Sequence, residues 1–352
     1  MDLLMKVLMK GNEALAEAAI RAGCHHFFGY PITPQTELAA YMSKRMPQVG
    51  GTYLQAESEV AAINMVLGAA SAGVRAMTSS SSPGVSLKGE GISYMAGSDL
   101  PAVIINVQRG GPGLGGIQPS QADYWQATKA TGHGDFQILV FAPSTVQEMV
   151  DLISHAFDTA DKYRMPAMIL ADGMLGQMME PVSLPEEGSA NLPEKEWAAK
   201  GHGGKRAHNI INSLYLTPEK LEQLVKERFE RYETVKKNEQ MAEEYLTEDA
   251  DVVLVAYGAS SRVARSAVNK AREKGLKAGL VRPITLWPFP TDALQRAAAH
   301  AKNFLVVEMS MGQMVDDVKL AVDCKVPVHF YGRTGGMIPT PADVLAQIEA
   351  LL

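Results

Sequence analysis

Phe27-Phe28-Gly29-Tyr30-Pro31-Ile32-Thr33-Pro34-Gln35-Thr36-Glu37 joins an apolar run to a helix start through a turn with two prolines. Phe27-Phe28 closes a short apolar run with the character of a buried strand. Gly29, Pro31 and Pro34 punctuate a tight turn, and Thr33 or Thr36 can open a helix over residues 35–45. A strand that stops in a two-proline turn at a helix start brings backbone N–H groups and a hydroxyl to the carboxyl edge of a sheet. Ligands of open α/β sheets bind at that edge. Taken alone, the stretch reads first as an ordinary rigid strand-to-helix loop, so the rest of the chain has to decide.

Working outward, short apolar runs of strand character lie at 3–8, 25–28, 52–54, 75–78, 101–108, 136–141 and 166–170. Helical patterns separate them at 12–23, 35–45, 57–73, 84–96, 119–131 and 144–161. The Ala-rich segment from Val60 to Ala72 is helix-prone and small-faced, suited to close packing. Strands alternating with helices imply a doubly wound, mostly parallel sheet across residues 1–180. Residues 181–216, with P-E-E-G-S-A-N-L-P-E-K and G-H-G-G-K-R, have the composition of a linker. Thr217-Pro218 then opens a helix expected to run through 219–246, a stretch free of Gly and Pro, highly charged and striped with apolar residues. The expectation is a linker with a long charged helix over 181–249. A second α/β unit follows over 250–352, with strands at 252–257, 277–281, 304–308 and 326–331 and helices near 260–274, 290–301, 312–323 and 340–352.

Composition narrows the function. Of 352 residues, 46% are apolar and 20% charged, a globular balance, and the net charge of −6 comes with no dense basic cluster. Nucleic acid and anionic membrane are therefore excluded as expected partners. No apolar run reaches the roughly 18–20 residues of a membrane span, and no signal-like N-terminus is present, so the expected location is cytoplasmic. Two cysteines, Cys24 and Cys324, cannot by themselves hold a four-thiolate cluster or a structural zinc. His25, His26 and His133 lack a carboxylate or cysteine at ligand spacing, so no metal ligands are assigned.

Gly111-Pro112-Gly113-Leu114-Gly115-Gly116 matches G-x-G-x-x-G after the strand 101–108 and opens an alternative: a dinucleotide-binding dehydrogenase. In that fold the glycines run straight into a helix and an acid ends the next strand. Here helix signals wait until about Pro119-Ser120, and the nearest acid, Asp135, precedes its strand. The same loop reads better as an anion site. Arg109, at a strand's carboxyl end, can present a guanidinium fork to a carboxylate. Thr78-Ser79-Ser80-Ser81-Ser82-Pro83 closes another strand and opens another helix. Glu57 and Glu59 fall in the first turn of the Ala-rich helix, where acids ordinarily complement the helix dipole. Thr33, Glu59, Ser79 to Ser82 and Arg109 all lie at the carboxyl ends of predicted strands, which in a parallel sheet share one edge.

These residues carry a resemblance. G-Y-P-I-T-P-Q-T-E, Q-A-E-S-E-V-A-A-I-N-M-V-L-G-A-A, T-S-S-S-S-P-G and N-V-Q-R-G-G-P-G, in that order and spacing, resemble the alpha subunit of the 2-oxoacid:ferredoxin oxidoreductases. The branched-chain 2-oxoisovalerate (3-methyl-2-oxobutanoate) subtype is the nearer likeness and the 2-oxoglutarate subtype the second. Residues 250–352 resemble the family's transketolase C-terminal-like domain. The resemblance implies a thiamine diphosphate enzyme that decarboxylates a 2-oxoacid oxidatively, forms an acyl-coenzyme A and passes electrons to an external ferredoxin. It implies that residues 1–180 are the pyrimidine-binding domain. By the same likeness Glu59 is catalytic and holds the aminopyrimidine ring nitrogen, Pro31 lines the cofactor, and Thr33 and Arg109 bind the 2-oxoacid, Arg109 through its carboxylate.

One motif of the thiamine enzymes does not show. Their magnesium–diphosphate motif begins G-D-G and closes on a downstream Asn. Ala171-Asp172-Gly173 lacks the first glycine and Asn191 follows too soon, while Gly134-Asp135-Phe136 lacks the second. The family's arrangement puts Mg2+ and the diphosphate on a beta subunit and the iron–sulfur clusters on partner subunits, with a gamma subunit and a ferredoxin-like delta subunit completing the assembly. The chain is expected to supply half of an active site.

Overall fold

The computed structural model describes residues 6–129, 131–190 and 192–352. Leu3 to Met5 of the first predicted strand run, Ala130 of the predicted helix 119–131, and Asn191 lie outside the described residues. In chain order the strands are β1 (Val7–Lys10), β2 (His26–Gly29), β3 (Thr52–Gln55), β4 (Ala76–Ser80), β5 (Val103–Gln108), β6 (Leu139–Phe141) and β7 (Ala167–Asp172). They continue as β8 (Met179–Val182), β9 (Ala242–Tyr245), β10 (Val252–Val255), β11 (Ala278–Pro283), β12 (Thr285–Trp287), β13 (Asn303–Glu308) and β14 (Val328–Gly332).

A seven-stranded sheet runs in the order β12-β6-β7-β5-β4-β2-β3, parallel except for β12. Every residue of its central strand β5, V-I-I-N-V-Q, is buried because helices cover both faces. The helix Val146–Tyr163 shows how one such cover is specified. Thr145 caps it by accepting from the Glu148 N–H at 3.1 Å, and Val146, Met149, Val150, Ile153, Ala156, Phe157 and Ala160 form its buried stripe. At the other end of the sheet Phe27 stacks on Tyr53 with ring centroids 5.5 Å apart, joining β2 to β3. The strand order places a switch point at β2. The chain leaves β2 to build β3 on one side, then returns through the helix Glu59–Ser71 to build β4 on the other. Crevices at the carboxyl ends of strands open at such reversals.

A five-stranded sheet, β14-β13-β10-β11-β9, is parallel apart from the edge strand β9. Three features of the chain depart from the sequence expectation. The long helix spans Pro218–Asn238 and stops short of residue 246, because Ala242–Tyr245 pairs antiparallel with β11 instead. Met179–Val182, at the head of the expected linker, pairs with β1. Thr285–Trp287, within the expected second unit, hydrogen-bonds to β6 and completes the first sheet. Each is a pairing between residues distant in sequence, which local periodicity does not carry. The predicted helix 119–131 contracts to Tyr124–Thr128; its flanks instead join the two units. The Gln121 side chain donates to the Tyr257 carbonyl at 2.8 Å and accepts from Ser260 Oγ at 2.6 Å. Tyr124 donates to Asp317 at 2.5 Å.

Candidate active site

The turn after β2 is held from both sides. Asn12 Nδ2 donates to the Pro34 carbonyl at 2.8 Å and to Glu37 at 3.1 Å. The buried Gln35 amide accepts from Ser79 Oγ at 2.6 Å, which ties the turn to the end of β4. Pro31 and Thr33 are consequently presented outward on a fixed backbone, both exposed.

Arg109 meets this turn from β5. Its Nη1 donates to the Thr33 carbonyl at 2.9 Å and its Nη2 to the Leu114 carbonyl at 3.1 Å, while its buried Nε has no partner. The fork thus clasps the proline turn and the glycine-rich loop together. The backbone of Arg109 is set by a buried polar knot. Ser82 Oγ accepts from the Arg109 N–H at 3.0 Å and donates to Asp123 at 2.6 Å, and Asn106 donates to the same carboxylate at 2.9 Å. Burial pushes the Asp123 carboxyl above its usual range despite these bonds.

Glu59 begins the helix Glu59–Ser71 after Ser58, whose hydroxyl caps the Ala61 N–H at 3.1 Å. The side chain folds inward and is only 6% exposed. It lies on the first turn of the helix Ser82–Gly97 at a place left open by Gly84. A Cβ there would come within 2.7 Å of Glu59 Oε1 and would also strike Ser80 Oγ. Ser80 and Ser81 carry buried hydroxyls with no partner. An acid, an unengaged hydroxyl and a missing side chain therefore converge at Gly84.

Lys88 was not singled out by the sequence reading. It is fully buried one turn beyond Gly84, and its Nζ donates to Thr78 Oγ1 at 2.8 Å and the Ser79 carbonyl at 2.9 Å. Burial pushes its ammonium down to about 7, a shift that Glu59's negative charge opposes. The signal available in the sequence was periodicity. Gly84, Lys88 and Ile92 recur at the four-residue spacing of one helix face, and the other two are buried in the structure.

The structure therefore brings Thr33, Arg109 and Glu59 to one sheet edge, with Pro31 on the same turn. Two glycine-containing sequences at the same edge serve other purposes. Residues 111–116 form an exposed loop that enters no helix, the next one being Tyr124–Thr128, unlike the glycine turn of a dinucleotide fold. Asp172, of the incomplete A-D-G sequence, is buried and accepts from the Met174 and Leu175 N–H groups at 2.8 and 3.1 Å. It caps its own short helix, and burial pushes its carboxyl up to about 6.

Comparison with known proteins shows the family of the chain. A family model described as "Pyruvate flavodoxin/ferredoxin oxidoreductase, thiamine diP-bdg" matches residues 17–244. A second, "Pyruvate:ferredoxin oxidoreductase core domain II", matches residues 250–344. The chain is 50% identical over 344 residues to ketoisovalerate oxidoreductase subunit VorB of Methanothermobacter marburgensis, covering 98% of this chain and 97% of that one. It is 37% identical to 2-oxoglutarate synthase subunit KorA of Methanothermobacter thermautotrophicus, covering 97% of each. Among solved structures, a 2-oxoglutarate:ferredoxin oxidoreductase from Magnetococcus marinus, with 2-oxoglutarate, coenzyme A and succinyl-CoA bound, superposes with a TM-score of 0.90 at 28% identity. That match covers 98% of this chain, which spans 65% of the other's length. A split-gene transketolase, at 15% identity and a TM-score of 0.61, shares the fold. No helix among the described residues is long and apolar enough to cross a membrane. The chain is a subunit of a multi-subunit enzyme and belongs to the thiamine diphosphate-binding 2-oxoacid:ferredoxin oxidoreductase family.

Proposed function

We propose that this chain is the alpha subunit of a branched-chain 2-oxoacid:ferredoxin oxidoreductase and supplies the pyrimidine-facing half of its thiamine diphosphate site. The observation that carries the reading is the convergence of buried Glu59 and the unengaged Ser80 hydroxyl on the space kept open by Gly84. These residues fit the polar edge of an aminopyrimidine: Glu59 would hold the ring nitrogen, and Pro31 would line the ring. When bound, thiamine diphosphate supplies the electron sink for loss of CO2 from a 2-oxoacid. Glu59 contributes a carboxyl group able to share a proton. Arg109 and Thr33 orient the 2-oxoacid, with Arg109 exchanging its bond to the Leu114 carbonyl on the exposed loop for the substrate carboxylate. Such charge-assisted bonds fix orientation as well as affinity.

An apolar substrate tail is favoured by what surrounds Arg109. Residues 27–37, 78–84 and 110–123 contain no lysine and no second arginine. A second substrate carboxylate would find no cation on these segments, whereas Leu114 and Ile117 offer exposed aliphatic side chains. The two cysteines and the incomplete G-D-G sequences support placing the iron–sulfur clusters, Mg2+ and diphosphate on the partner beta, gamma and delta subunits. The overall reaction yields an acyl-coenzyme A and reduced ferredoxin. The test is a 2-oxoacid panel on the complex purified with its native partner chains, with ferredoxin reduction followed. The expected result is a kcat/KM for 2-oxoisovalerate at least about tenfold above that for 2-oxoglutarate. The reverse preference would assign the 2-oxoglutarate activity, and no coenzyme A-dependent reduction with either would refute the reading.

A further inference from the structure

Lys88 places a cation at full burial, against neutral acceptors, one helical turn from the acid proposed to serve the cofactor. An ammonium carries three N–H donors and a neutral amine two. The chain gives Nζ two acceptors, Thr78 Oγ1 at 2.8 Å and the Ser79 carbonyl at 2.9 Å, so the neutral amine is fully satisfied there. Among the described residues, the groups turned toward Lys88 from the elements packed on its helix are few. The helix Glu59–Ser71 brings Glu59, and β4 brings the neutral Thr78 and Ser79. Asp123 and Arg109 meet the helix at Ser82, away from Nζ, and Glu90 and His133 are exposed on its outer side.

We infer that Lys88 is a positioning residue for Glu59, and that the two side chains hold one proton between them which Glu59 takes when a ring nitrogen docks against its carboxyl. Before docking, Lys88 is the ammonium and Glu59 the carboxylate. Afterwards the proton sits in the Glu59–ring nitrogen hydrogen bond and Lys88 is the amine bonded to Thr78 and Ser79. One N–H bond at Lys88 is lost and one proton is gained at Glu59, with no net uptake from solvent. Burial brings the Lys88 ammonium down to about 7, where release at neutral pH is feasible. The inference rests on the thiamine reading of Glu59.

The two can be tested apart by isothermal titration of the complex, purified with its partner chains, with thiamine diphosphate and Mg2+ near pH 6.3. Buffers of different ionisation enthalpy report the protons taken up on binding. Uptake by the diphosphate is common to all variants and cancels in the differences. The expected result is that Lys88→Met takes up about one proton more than the natural protein, since Glu59 must then draw its proton from solvent. Its affinity should fall about tenfold per pH unit from pH 6 to 7, where that of the natural protein should fall only about twofold. In a Glu59→Gln background, Lys88→Met should change neither quantity. Lys88→Gln should repeat the result if Lys88→Met fails to assemble. Equal proton uptake by Lys88→Met and the natural protein, with Glu59→Gln still impaired, would overturn the role of Lys88 alone. Glu59→Gln binding the cofactor as the natural protein does would overturn the reading of Glu59, and this inference with it.

Discussion

The carboxyl edges of the two sheets each hold a buried glutamate ahead of a helix, and the two glutamates are used in opposite ways. Glu308, at the end of β13, is completely buried and accepts from Ser310 Oγ at 2.9 Å and from the N–H groups of Gln313, Met314 and Val315 at 3.1 Å. Burial still pushes its carboxyl above the usual range, but a hydroxyl and three N–H groups all donate to it. Glu59, at the edge of the first sheet, faces a glycine gap and the Ser80 hydroxyl, which has no partner, with a lysine bonded elsewhere one helical turn away. A buried carboxylate that closes its own loop is part of the fold, whereas one surrounded by unengaged polar groups is poised for a ligand. The same distinction sorts Asp172, which caps its own helix, from Arg109, whose Nε is left without a partner.

The sharpest way to break this contrast is to neutralise each acid in turn. Glu59→Gln should lower the turnover of the assembled complex by about 10²–10⁴-fold, the usual worth of a positioned acid or base, and leave the melting temperature of the chain nearly unchanged. Turnover within a few-fold of the natural protein would place Glu59 with Glu308. The next effect concerns Lys88 and stability. The unfolded chain keeps the lysine proton up to its ordinary 10.5, and the folded chain releases it at about 7. Between those values the unfolded state binds more protons, so stability rises with pH. Lys88→Met should remove that rise, and the difference between the two proteins in unfolding free energy, from urea titration, should change by about 1.4 kcal/mol per pH unit from 7 to 9. Parallel pH profiles would show that Lys88 is charged in the fold throughout.

Arg109→Ala should cost about 1.5–3 kcal/mol of substrate binding, roughly 10–150-fold in kcat/KM, felt mainly in KM. An unchanged KM would confine the guanidinium to its clasp between Thr33 and Leu114. The smallest effect on turnover belongs to Glu308→Gln. It should destabilise the chain by about 1.5–3 kcal/mol in denaturant titration, because charged acceptance by Glu308 is lost, while activity per folded complex stays close to natural. A large loss of activity without loss of stability would reverse the assignment of the two edges.

Much of this arrangement was legible in order along the chain. The runs at 25–28, 75–78, 101–108 and 166–170 become β2, β4, β5 and β7, since parallel strands buried on both faces are written as continuous apolar runs. That Thr33, Glu59 and Arg109 meet at one edge followed from strand polarity alone. Lys88 was hidden because a lysine is ordinarily exposed, and only the helical phase set by Gly84 and Ile92 marked it as inward. The helix expected to reach residue 246 ends at Asn238, and Thr285–Trp287 crosses to the first sheet. Both outcomes depend on which distant strand had an unpaired edge, a property no local window contains.

By itself the sequence determined the alternation of strands and helices, the rigid two-proline turn at 29–34, and the residue types at the ligand edge. These are local matters of propensity, periodicity and fixed φ. Tertiary structure alone decided which polar groups are engaged: that Arg109 is clasped by two carbonyls, that Glu308 is satisfied, and that Glu59 lies against Gly84 beside a buried lysine. Whether a buried charge is structural or available depends on the donors and acceptors that other segments bring within about 3 Å. Those partners come from residues tens of positions away, so packing and not sequence order settles the difference.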